Sequence, residues 1–92
     1  MFDVDGPWAL AGQVALRPEP FGALAYHFGT RRLSFLKRPE LVTVVRALAD
    51  HASAREAITA AGIAAAEVPA YEAALARLAA TDMIEPRGTE IR

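Results

Sequence analysis

At 92 residues the chain has room for a single short domain with a modest core, one that removes about 60–65% of its unfolded-chain surface from water on folding. A composition 53% hydrophobic and only 23% charged excludes a disordered segment, and the absence of cysteine excludes disulfides, thiolate-held iron–sulfur clusters and cysteine zinc sites. The net charge of −1 divides unevenly, with six basic against four acidic residues up to Arg46 and four against seven beyond it, so the first half carries +2 and the second −3.

Residues 1–12 show no hydrophobic period, which casts Trp8 and Leu10 as cover for an edge of the core and not as an element of their own. A first strand is expected over residues 13–17, where Val14 and Leu16 alternate with polar or small neighbours until Pro18-Glu19-Pro20 ends it. A second, over residues 23–28, sends Leu24, Tyr26 and Phe28 to one face, with His27 on the other. The Gly29-Thr30 step reads as a tight hairpin turn. In the third strand, starting from Arg31, Leu33 and Phe35 are assigned to the core side, leaving Arg32, Ser34 and the awkward Leu36 pointing away.

From Pro39 the period changes from two to about 3.6. Pro39 opens a first helix whose stripe is Leu41, Val44, Val45 and Leu48, ending near Asp50-His51. Ser53-Ala54-Arg55-Glu56 is a capping box for a second helix, closed by Gly62, with Ala57, Ile58 and Ala61 on its buried face. A third runs from about Pro69 to Thr81, with Tyr71, Leu75 and Leu78 on one face and Ala70, Ala74 and Arg77 on another. Met83-Ile84-Glu85-Pro86 allows a brief extended segment, and residues 87–92 are expected to fray as a dispensable tail. The fold class that follows is α+β and winged-helix-like: a three-stranded antiparallel sheet, then three helices, in one domain over residues 1–92 with its core at about 8–86.

Chemistry is scarce in this pattern. No HExxH, CxxC, phosphate-binding glycine loop or GxSxG occurs, the two histidines lie far apart, and the acidic pairs Asp3/Asp5 and Glu67/Glu72 suit a solvated end and a helix start. The expectation is therefore no enzyme, no catalytic residue, no metal and no cofactor. The N-terminus carries two aspartates where a secretion signal would carry basic residues, and no apolar run approaches the roughly 20 residues that span a bilayer, which points to a cytoplasmic protein without a membrane partner.

What remains is a binding device. The outer edge of the third strand exposes unpaired backbone groups able to accept an extended peptide, with Arg31-Arg32 and Lys37-Arg38 as positive charge at its two ends and Leu36 available to an apolar peptide side chain. A small-residue face of Ala70, Ala73 and Ala74 on the third helix would leave a groove alongside, bordered by Tyr71 and Leu78. The bland alternative is that the basic residues merely protect an edge strand and that Tyr71, Leu75 and Leu78 are only core. Nucleic acid is disfavoured, because the third helix offers Arg77 against Glu72 and the following Asp82.

The residues PWAL followed by VALRPEPFGALAYHFGTRRLSFLKRPELVTVVRAL closely resemble the peptide chaperones of mycofactocin biosynthesis, over about residues 8–86 and most specifically in the RPEPFGALAYH segment. These chaperones are precursor-peptide recognition elements, similar in fold to the pyrroloquinoline quinone peptide chaperone. The resemblance implies a domain that captures the leader of a ribosomally made precursor peptide and presents it to a radical S-adenosylmethionine maturase, which modifies the precursor's C-terminal Val-Tyr end. It also implies that the leader adds to the third strand in the cleft beside the third helix. The expected peptide-binding residues are accordingly Arg31, Arg32, Leu33, Ser34, Phe35 and Leu36 facing Ala70, Tyr71, Ala74, Arg77 and Leu78. The competing readings are a small protein–protein adaptor or dimerisation domain and, last, a DNA-binding winged helix.

Overall fold

The computed structural model describes residues 2–87. Among them, β1 (Trp8–Leu10), β2 (Val14–Glu19), β3 (Gly22–His27) and β4 (Leu33–Leu36) precede α1 (Pro39–Ala47), α2 (Ala54–Ala60) and α3 (Val68–Ala80), and β5 (Ile84–Pro86) follows. Short 3-10 turns at Leu48–Asp50 and Ala65–Glu67 extend α1 and lead into α3. The expected α+β order, a three-stranded antiparallel sheet and then three helices, is the order observed, with the sheet arranged β2-β3-β4.

The sheet differs from expectation in which of its faces is buried. Ala23, Ala25 and His27 of β3 face the core at 0, 1 and 8% exposure, and Leu36 of β4 is 1% exposed, whereas Leu33 and Phe35 are 55 and 58% exposed. The pairing register Leu24↔Phe35 and Tyr26↔Leu33 keeps the large residues together on one face, as the alternation implies, but that face is the outer one. The reason is steric. Helix α1 packs against β3, and the alanines at 23 and 25 let the helix approach closely enough for Val44, Val45 and Leu48 to be fully buried. Gly22, at φ +149°, allows a separate close approach, that of the end of β4, since a Cβ there would collide with the Leu36 carbonyl. Leu36 needs no ligand to explain it; it is core.

Two boundaries also move. β2 continues through Pro18 to Glu19, and the expected break there does not occur. The bond from Phe28 N–H to the Gln13 carbonyl makes 13 and 28 a hydrogen-bonded pair, so by alternation position 18, opposite Ala23, points its nitrogen away from β3. β2 is an edge strand, and proline's missing donor costs nothing on that side. The β3–β4 connection is not a two-residue turn but a wider loop over residues 28–31, with Arg31 in the left-handed region at φ +63° and its N–H bonded to the His27 carbonyl. The buried His27 organises that loop, its Nδ1 accepting from both Gly29 and Thr30 N–H at 3.0 Å.

The N-terminal segment is an element after all. β1 pairs antiparallel with β5, Trp8 opposite Pro86 and Leu10 opposite Ile84. Ahead of it Phe2 packs on Trp8 with centroids 4.9 Å apart, and the indole N–H donates to the Asp3 carbonyl at 2.8 Å. The same segment completes α2: Ala54 and Arg55 N–H donate to the Gly6 and Val4 carbonyls, and Glu56 N–H to the Ser53 hydroxyl at 3.1 Å. Three donors that a helix start leaves unpaired are thus satisfied, one by the expected cap and two by sequence fifty residues away. Arg55 itself meets Asp5 at 2.7 Å and Glu72 at 3.3 Å.

Arg87 does not fray. Its N–H bonds to the Pro7 carbonyl, and its guanidinium donates to the Ala49 and His51 carbonyls at the end of the first helical unit. The remainder of the expected tail, residues 88–92, lies outside the described residues.

A candidate peptide-binding groove

Strand β4, like β2, is an edge strand of its sheet among the described residues. The His27 N–H to Arg32 carbonyl bond fixes its phase, so Ser34 and Leu36 direct their backbone groups at β3, and Leu33 and Phe35 direct theirs outward. Edge backbone groups and exposed side chains therefore belong to the same two residues. Beside them opens a groove of about 510 Å³ whose walls are Phe35, Lys37, Arg38 and Leu41 on one side and Glu67, Ala70, Tyr71, Ala74 and Arg77 on the other.

Helix α3 makes this groove shallow by its spacing. Positions 70, 74 and 77 recur at four and three residues and so line one face, where two alanines present only methyl groups. Tyr71 is buried to 4% exposure and forms the floor. Cations outnumber anions around the opening, since Lys37, Arg38 and Arg77 face Glu67 alone. Arg38 reaches Glu67 at 3.7 Å, an exposed pair that ties the end of β4 to the entrance of α3 without closing the groove.

Of the eleven residues expected from sequence, Phe35, Ala70, Tyr71, Ala74 and Arg77 come together in the groove walls. Arg31 and Arg32 stand at the hairpin end of β4, and Leu33 and Ser34 lie along it. The side chain of Leu36 points into the core, and so does that of Leu78, at 7% exposure. Lys37 and Arg38 were read as end charges and Leu41 as helix stripe, and their place in the wall follows from the turn between β4 and α1, which alternation cannot foresee. Glu67 carried no sequence signal beyond its position near the start of a helix.

A larger depression of about 620 Å³ lies elsewhere, between Phe2, Trp8, Ile84 and the Ala76, Ala79 and Ala80 face of α3, with Asp3, Asp82 and Glu85 at its rim. It touches neither β4 nor any cation; its strands are the paired β1 and β5, so only the smaller groove lies beside the β4 edge. No cluster of histidine and acidic side chains able to hold a metal occurs among the described residues, and none of their helices is long and apolar enough to cross a membrane.

A free sheet edge running beside a shallow, cation-rimmed groove is the architecture of a small α+β binding module. The chain belongs to the peptide chaperone MftB family, whose sequence model matches residues 7–85. It is 55% identical to the peptide chaperone MftB of Mycobacterium ulcerans over 94% of this chain and 79% of that protein. Its identity to the peptide chaperones MftB of Mycolicibacterium smegmatis and Mycobacterium tuberculosis is 54% and 51%, over 97% and 96% of this chain and 87% and 81% of theirs. These relatives are named as chaperones, a non-catalytic role. No solved structure matches the chain.

Proposed function

We propose that this chain captures the leader of a mycofactocin precursor peptide as a fourth strand on β4, and presents the peptide to a radical S-adenosylmethionine maturase in the cytoplasm, residues 1–92 acting as one recognition domain. The observation that carries this reading is the coincidence of the outward backbone groups of Leu33 and Phe35 with the groove beneath α3. Ladder hydrogen bonds supply grip independent of sequence, and the groove supplies selectivity through alternate side chains of the leader. Lys37, Arg38 and Arg77, with Arg31 and Arg32 at the far end, favour a leader carrying acidic residues. Holding the peptide beside the maturase raises its effective concentration there and requires no catalytic group in this chain.

Isothermal titration with a synthetic precursor, a scrambled-leader control and duplex DNA tests the reading. Binding selective for the intact leader, with amide shifts concentrated on residues 31–38 and 67–77, is the expected result. Absence of binding by both calorimetry and amide shifts would leave the adaptor reading in its place.

A further inference from the structure

The outer face of the β2-β3-β4 sheet is apolar along β3 and β4, with the Arg17–Glu19 pair on its β2 side. Tyr26 sits in register between Ala15 and Leu33, and Leu24 between Arg17 and Phe35. Phe28 is 61% exposed and meets Tyr26 edge-on at 5.2 Å, while Phe21 stacks on Phe35 at 5.8 Å. Large apolar side chains gathered in water mark an interaction surface far more often than they occur by chance. The surrounding charge has one sign. Arg31 and Lys37, flanking β4, form no ion pair among the described residues, and the Glu19 carboxylate is taken up by Arg17 at 2.8 Å.

We propose that this face, centred on Tyr26, Phe28 and Leu33, docks the folded enzyme that receives the captured peptide, through an apolar patch rimmed by carboxylates on that enzyme; the proposal rests on the chaperone reading above. A single added strand covers the edge of β4 and cannot reach across to β2, so the leader leaves most of the face bare. A second copy packed face to face would gather the Arg31 and Lys37 cations of both chains around one seam, and the face offers no unpaired carboxylate among the described residues to meet them. Through Phe35, which belongs to both surfaces, the face is continuous with the groove, and an enzyme docked there stands next to the bound peptide.

The test is a pair of reciprocal variants titrated separately with precursor peptide and with the radical S-adenosylmethionine maturase. Phe28→Asp is expected to weaken maturase binding at least about tenfold while leaving precursor affinity within about twofold. Ala74→Trp, which fills the groove, is expected to do the reverse. Phe28→Ser and urea titration guard against a folding defect. Unchanged maturase affinity in both Phe28 variants overturns the proposal, as does loss of peptide affinity in a folded Phe28 variant, which would make the face part of the peptide site. A wild-type dimer in sedimentation that Phe28→Asp dissolves assigns the face to a second copy and also overturns it. Failure of wild-type protein to bind the precursor, with maturase binding still lost in Phe28→Asp, sinks the chaperone reading and leaves the docking face standing.

Discussion

Replacing Leu36 by alanine is expected to be the most destabilising single truncation in the sheet. The side chain is 1% exposed, and the residue opposite it in the ladder is Ala23, itself fully buried and with no side chain to spare for the space left behind. The neighbouring backbone at Gly22 is already as close as glycine permits. The cavity should therefore stay open, placing the loss in the upper part of the range for buried leucine, about 3–4 kcal/mol. For a domain of this size each kcal/mol moves Tm by about 4–8 °C, so a fall of more than about 12 °C is expected. Leu33→Ala removes a side chain 55% exposed and should change stability by less than about 0.5 kcal/mol. Phe35→Ala loses its stacking on Phe21 as well and should cost about 1 kcal/mol. Urea titration followed by fluorescence of Trp8, the single tryptophan and 7% exposed, reads all three as shifts in midpoint at constant slope. If Leu33→Ala or Phe35→Ala proved costlier than Leu36→Ala, the assignment of the two sheet faces would be refuted, and with it the outer apolar surface.

Arg32→Glu should weaken precursor binding at low salt and much less at high salt, because an exposed charge at the strand end acts over a screened distance; titrations at two ionic strengths measure the difference. Arg87→Ala should cost about 1 kcal/mol by losing its bonds to the water-accessible Ala49 and part-buried His51 carbonyls, seen as a lower urea midpoint, whereas removal of an unanchored side chain would leave it unchanged. The Arg55 guanidinium hydrogen-bonded to Asp5 holds that carboxyl below the usual carboxylate range. A depressed folded value means the pair's contribution is complete above the ordinary aspartate range and is lost as pH falls through the lowered one. Wild type and Asp5→Asn should accordingly differ slightly in stability near neutrality and converge in acid, and a constant difference across the titration would exclude the pair as its source.

The helices were legible because each is written twice, in its apolar stripe and in its ends. Pro39 and the Leu41, Val44, Val45, Leu48 series fix one, Ser53 and Gly62 another, and all match the buried residues and caps observed. The strands carried their pairing but not their orientation. Alternation separates Leu24, Tyr26, Leu33 and Phe35 from Ala23, Ala25 and Leu36, yet size alone assigns the larger set to the core, and it is the close approach of α1 that reverses the choice. The groove was half legible for the same reason. Its α3 wall follows from helical spacing, whereas Lys37, Arg38 and Leu41 enter it through the turn after β4, and Glu67 through a 3-10 turn that no local pattern announces. Trp8–Leu10 escaped because its partner strand lies some seventy-five residues on, beyond any window in which a period can be seen.

That last pairing makes the fold a closed ring. Everything between Leu10 and Ile84 is a loop sealed at its base by a three-residue ladder, with Arg87 latched onto the Pro7 carbonyl just outside it. Closing so long a loop costs chain entropy that only the completed core returns, so sheet and helices should unfold together rather than in stages. It also means that a chain emerging from the ribosome holds both the β4 edge and the outer sheet face early, but cannot lock them in place until residues 84–87 have been made.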